Sequence, residues 1–195
     1  MNLAKSLLSR ALLASALLSG AGAAVAGPVY HVDIDTSSFK DLGTGFLDMT
    51  FLPGLESGPA TATISHLSGD YGDYLDMSAG VSGSVDGEVV FDNTQFADLF
   101  RSIALGGHFG FDLGFSGPDS GMGGTDFDVS LYDDSGMNPL VASLVHFTLQ
   151  PESVTLSVQE AYATVGPAAA VPEPSAALLV LIGLMMAAAV ARRRA

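Results

Sequence analysis

The sequence predicts a mainly β protein, an antiparallel β-sandwich of jelly-roll type with one short helix, flanked by targeting segments at both ends. Three observations carry this. Between Gly27 and about Val165 the apolar residues recur with a period of two, the mark of half-buried strands. Clusters of Gly, Pro, Asp and Ser punctuate these runs every few residues. The longest uninterrupted apolar stretches lie at the two ends of the 195-residue chain, outside the alternating pattern, and read as targeting segments instead of core.

The alternation is read directly from the residues. Tyr30, Val32 and Ile34 alternate with His31, Asp33 and Asp35, and Leu47, Met49 and Phe51 alternate with Asp48 and Thr50. Phe109, Phe111, Leu113 and Phe115 share one face, with Asp112 on the other. Phe127, Val129 and Leu131 alternate with Asp126, Asp128 and Ser130. Val141, Ser143, Val145, Phe147 and Leu149 form a further face, and Val154, Leu156 and Val158 follow the turn at 150–153. Weaker runs lie at 60–67, 81–85 and 88–91. Only 94–103 reads as helical: Phe96, Leu99, Phe100 and Ile103 fall at i, i+3, i+4, i+7, with Asn93 or Thr94 as the cap. Eight or nine short strands over some 140 residues suit a single sandwich.

Charge narrows the partners. The whole chain carries −14, but residues 27–170 hold 20 acidic residues against only Lys40 and Arg101, leaving −18. Phosphate recognition needs clustered Lys and Arg, so a nucleic-acid partner is excluded. There is no cysteine, which removes disulfides and thiolate chemistry, and no tryptophan, which leaves tyrosine and phenylalanine as the aromatic contact residues.

The N-terminus has Lys5 and Arg10, an apolar run from Ala11 to Leu18, and small residues leading to Ala24-Val25-Ala26. This is the layout of a secretory signal peptide over 1–26, cleaved before Gly27 at a site set by Ala24 and Ala26. Residues 162–175 are rich in Ala and Pro and read as a linker after a domain spanning 27–161. From Ala176 to Ala191 no residue is charged. As a helix that stretch spans about 24 Å, slightly short of the ~30 Å hydrocarbon core. Arg192, Arg193 and Arg194 follow at once and hold that end in the cytoplasm. Pro172-Glu173-Pro174 stands just before the span and stiffens it into the extended geometry that a processing enzyme grips.

These ordered elements, Val171 to Ser175 (VPEPS), a short apolar span and terminal arginines, closely resemble the PEP-CTERM sorting signal of Gram-negative bacteria. The resemblance covers about 25 residues. It implies handling by exosortase, with Pro172, Glu173 and Pro174 as the recognition motif. It also implies tethering in the inner membrane before processing, and then display at the cell surface or in an extracellular polysaccharide matrix or biofilm. The run TDFDVSLYDDSGMNPL is similar to a recurring PEP-CTERM ectodomain, which implies a small β domain and no particular activity.

The remaining candidates are weighed on spacing. His31, His66, His108 and His146 show no zinc-ligand spacing and read as surface or edge histidines. Asp70, Asp73 and Asp76, then Asp119, Asp126 and Asp128, and Asp133 with Asp134 lie in acidic, Gly-containing stretches. Solvated turns are the first reading; a calcium site, with Asp70, Asp73, Asp126 and Asp128 as its ligands, is the second. No nucleophile elbow, Ser-x-x-Lys pair or phosphate loop occurs, so no catalytic residue is assigned and a non-enzymatic role is expected. Three functions stay open: a displayed matrix protein, a carbohydrate-binding module with or without calcium, and a small matrix-modifying hydrolase.

Overall fold

The structure, a computed structural model, describes residues 28–118, 121 and 123–168. The expected signal peptide with Ala24 and Ala26, the motif Pro172–Pro174, the apolar span and Arg192–Arg194 lie outside the described residues, as does Asp119.

The described chain forms twelve strands: β1 (Val29–Asp35), β2 (Thr44–Pro53), β3 (Thr61–Ser68), β4 (Tyr71–Met77), β5 (Val81–Gly83), β6 (Glu88–Asp92), β7 (Ala97–Ala104), β8 (His108–Ser116), β9 (Thr125–Tyr132), β10 (Pro139–Gln150), β11 (Ser153–Val158) and β12 (Ala163–Pro167). They build two six-stranded antiparallel sheets, a β-sandwich. The first has the order β12-β1-β8-β3-β6-β5 and the second β11-β10-β9-β2-β7-β4. Successive strands mostly alternate between sheets, so long-range pairings close both layers.

Period-two patterning sets which face is inside. Val32 and Ile34, Leu47, Met49 and Phe51, Phe109, Phe111 and Leu113, and Phe127 and Val129 are buried between the sheets. Phe127 sits at the centre. Its ring meets Phe91 edge-on at 5.5 Å, Phe115 at 6.1 Å and Phe51 at 6.3 Å. Such tilted and edge-on contacts add to the area term of burial.

The strand count is twelve instead of eight or nine, because the weaker runs and β4, β7 and β12 also pair. Three further expectations need correction. First, 94–103 is not a helix. Ala97–Ala104 is β7, hydrogen-bonded to β2 on one side and β4 on the other. Leu99 and Ile103 satisfy both a helical and a strand pattern, and ladders on both sides, continuous to β2 and interrupted to β4, outweigh local helix preference. Phe96, assigned to the helix core face, is 60% exposed, and the one short helical segment is a 3-10 helix at Ser37–Leu42. Second, the alternation through 141–149 is broken at Ser143. Its φ of 48° accompanies a register shift between Val141 and Val145, so Leu144 and Val145 are both buried. Third, residues from 163, read as linker, form β12 and pair along β1, with Val165 opposite Val32. The ordered fold therefore reaches Pro167, and β4 is likewise a strand where an acidic turn was expected.

Asn93, expected as a helix cap, is instead a buried staple. Its Oδ1 accepts from the Ala60 N–H at 2.8 Å, and its Nδ2 donates to Gly58 O at 3.0 Å and Thr125 Oγ1 at 2.8 Å. Three segments thus share one amide. Truncation to Asn93→Ala strands buried donors and acceptors and is expected to cost about 2–3 kcal/mol in a urea melt. A loss under about 0.5 kcal/mol would mean that water replaces all three bonds.

Candidate functional site

Burying Leu47, Met49 and Phe51 on β2 forces Phe46, Asp48 and Thr50 onto the opposite, outer face of the second sheet. The neighbouring strands place matching rows beside them. Phe46 lies opposite Ser102 on β7 and Tyr132 on β9; Asp48 lies opposite Phe100 and Ser130; Thr50 lies opposite Asp98 and Asp128. This face is therefore divided into an aromatic end and an acidic end.

At the aromatic end the Phe46 and Phe100 rings stack at 4.8 Å with 11° between their planes. Tyr74 of β4 stands edge-on to Phe46 at 5.7 Å and is 53% exposed, and Tyr132 meets Phe100 at 5.9 Å. The β9–β10 loop packs against the pair through Gly136. A Cβ there would come within 3.2 Å of Phe100, and its φ of 69° favours glycine. Asp133 fixes this loop by accepting from Ser135 and Asn138, bonds that hold its carboxyl down at about 2.

At the acidic end Asp48 is half-buried, with Asp98 hydrogen-bonded to it and Asp128 nearby. Burial, then the Asp98 contact and the neighbouring charges, push Asp48 up to about 7. Burial also raises Asp98, although the bond from Asp48 opposes the rise. Oδ1 of Asp48 and Oδ1 of Asp98 are buried and find no N–H or O–H donor among the described residues. A proton kept on Asp48 and donated to Asp98 resolves this. Asp128 accepts from Ser143 Oγ at 2.6 Å, Ser130 Oγ at 2.9 Å and His146 Nδ1 at 3.1 Å, and Asp126 accepts from Thr148 Oγ1 at 2.6 Å. The Ser143 bulge is what brings that hydroxyl across.

The calcium candidates separate into two places. Asp70 lies in the turn before β4 and Asp73 on β4, whereas Asp126 and Asp128 lie on β9, with β7 and β2 between. Among the described residues no group of three or more His, Asp or Glu side chains is arranged to hold a metal ion.

The outer face of the first sheet gathers the other three histidines. The Asp112 carboxylate accepts from His31 Nδ1 at 2.7 Å and from His66 Nδ1 at 2.9 Å. His66 reaches it because a bulge, with φ of 53° at His66, turns an inward position outward. His108 donates to Asp33 at 3.0 Å. That bond and charge, with the charge of Asp35, hold His108 above its ordinary 6.5, while burial of Asp112 is outweighed by its two imidazoles and its carboxyl lies below 3.8. A raised histidine stabilises the folded state fully below about 6.5 and loses that contribution as pH rises through its folded value; the depressed Asp112 contributes above 3.8 and loses it on acidification. His108→Gln is therefore expected to lower the urea midpoint more at pH 5 than at pH 8. Equal losses at both pH values would contradict the pairing.

A shallow groove of about 530 Å³ runs between β3 and the β5–β6 turn, lined by Ser65, His66, Val85, Asp86 and Glu88. No phenylalanine or tyrosine lines it. The aromatic and acidic face of the second sheet thus has the stronger chemistry, and sequence reading missed its aromatic half. The clue was available: fixing Leu47 inside fixes Phe46 outside. Phe100 and Tyr74 were obscured by the helical reading of 94–103 and by the acidic composition around β4. In comparisons with known proteins, no family model, no curated protein and no solved structure matches this chain.

Proposed function

We propose that this protein is an exported, non-enzymatic surface or matrix protein whose jelly-roll-like sandwich binds an uncharged polysaccharide on the outer face of its second sheet. The observation that carries the reading is the Phe46–Phe100 stack, flanked by Tyr74 and Tyr132 and bordered by Asp48, Asp98 and Asp128. A pyranose ring offers an apolar C–H face to an aromatic ring and hydroxyl donors to carboxylates. A domain carrying −18 repels polyanions, so the ligand is a neutral glycan. Hydrolysis of a glycoside needs two carboxyls about 5–9.5 Å apart. Asp48 and Asp98 are in hydrogen-bond contact instead, which favours binding over cleavage.

In this reading the signal peptide exports the domain, and the apolar span and terminal arginines tether it in the inner membrane. The Pro172–Pro174 motif presents it to an exosortase-type enzyme, and the glycan is that of the surrounding matrix. Affinity electrophoresis through gels containing neutral glucans or mannans tests the binding, with alginate as the acidic control. Retardation by a neutral polymer, insensitive to 0.5 M salt (roughly a 4 Å screening length), is expected. Retardation only by alginate, or by none, would overturn it. For the tail, mass spectrometry of the exported protein is expected to find an end upstream of Arg192; an intact Arg194-Ala195 end would refute processing.

A further inference from the structure

The two sheets end in four edge strands: β12 and β5 on the first, β11 and β4 on the second. An open edge is a row of unpaired N–H and C=O groups that templates pairing unless something blocks it. Strand β5 has only three residues, β12 ends in Pro167, and β4 carries Asp73 and Asp76 with an irregular register against β7. Strand β11, Ser-Val-Thr-Leu-Ser-Val, has no charge, no proline and no bulge.

Its geometry fixes which groups face outward. Gln150 pairs with Ser153 across the two-residue turn Pro151-Glu152. In such a hairpin the closing pair is hydrogen-bonded and bonding alternates from there. Ser153, Thr155 and Ser157 therefore bond to β10, and the N–H and C=O groups of Val154, Leu156 and Val158 point to the free edge. Leu156 sits opposite buried Phe147, on the core side, yet is 42% exposed: among the described residues nothing closes the sandwich beneath this strand.

We infer that β11 pairs antiparallel with β11 of a second copy of this chain, joining two second sheets edge to edge about a two-fold axis through Leu156. In that register Leu156 meets its own copy, Val154 meets Val158 and Thr155 meets Ser157, so apolar side chains stay on the core side and hydroxyls outside. A second copy is the partner that fits because its own β11 brings the same uncharged, bulge-free row in a self-complementary register, while repulsion between two domains of −18 keeps the pairing weak. Glu152 and Glu160 flank the strand and oppose their counterparts, so added salt strengthens the pairing. The inference stands independently of glycan binding. Its consequence for that reading is that both aromatic faces come to lie on one side of the pair, giving two contacts to one polymer.

Sedimentation velocity on residues 28–168, which contain every strand and buried core residue described here, provides the test. A monomer–dimer equilibrium in the range of tens to hundreds of micromolar is expected, as suits a pairing well below standard interface size. Leu156→Lys should leave the monomer at all concentrations, and Val154→Pro, which removes an outward N–H and no hairpin bond, should do the same. Asp73→Lys on the opposite edge should not abolish the dimer. With no cysteine elsewhere in the chain, Leu156→Cys should oxidise to a covalent dimer. A single monomeric species up to about 1 mM, a concentration at which even weak interfaces associate, would overturn the inference. So would a dimer that survives both edge substitutions.

Discussion

Replacing Phe127 by alanine is expected to cost about 3–5 kcal/mol, the usual range for a buried phenylalanine. Its ring is fully buried and is the common neighbour of Phe51, Phe91 and Phe115, which come from β2, β6 and β8. Both sheets therefore lose contact at one point, and the strands around it are held by long-range pairing that cannot close inward cheaply. For a domain of ordinary stability, about 5–15 kcal/mol, this takes away a large share of the total. Urea unfolding followed by circular dichroism reads it as a lower midpoint with an unchanged slope. Phe96→Ala provides the contrast: that ring is 60% exposed, and its loss should stay within about 0.5 kcal/mol. Equal losses at the two positions would mean that the core is not organised around Phe127.

The second large effect depends on pH. Asp48 keeps its proton up to about 7 in the folded state but releases it near 3.8 when unfolded. Between those values the folded chain binds the extra proton, so stability falls as pH rises through the window. Three units at about 1.4 kcal/mol each would be the full linkage for a wholly buried group, and solvent screening of this half-buried one leaves about 1–2 kcal/mol. Asp48→Asn removes the titration and keeps an amide donor for Asp98. It should match the wild type near pH 4 and exceed it by that margin at pH 8. His108, held above its ordinary 6.5, is present in both proteins and cancels in the comparison. Parallel stability profiles for the two chains would contradict the shared proton.

How far the sequence carried this account depends on whether one residue's placement followed from its neighbours. Alternation at Val32, Leu47, Phe111 and Phe127 located the core strands because a slip of one residue would expose every apolar side chain. The segment from Phe96 to Ile103 was misread because Leu99 and Ile103 suit either period, and only the ladders to β2 and β4 decide between them. The bulges at His66 and Ser143 were invisible. Neither residue is a glycine, and each combines a positive φ with a side-chain bond to a carboxylate in another strand, Asp112 or Asp128. The same limit applies to the candidate site. Asp126 and Asp128 were singled out for their charge, yet the face they border is defined by aromatic residues from four strands, which no local spacing connects.

The most direct measurement is an amide-shift titration of the isotopically labelled domain with a neutral oligosaccharide cut from a polymer that retards it. The account predicts perturbations confined to the outer face of the second sheet, at Phe46, Asp48, Tyr74, Asp98, Phe100 and Tyr132, and their loss, with affinity weakened at least about tenfold (1.4 kcal/mol), in Tyr74→Ala and Phe100→Ala. Perturbations gathered instead on the histidine-bearing face of the first sheet, or saturable binding undiminished in both variants, would contradict it.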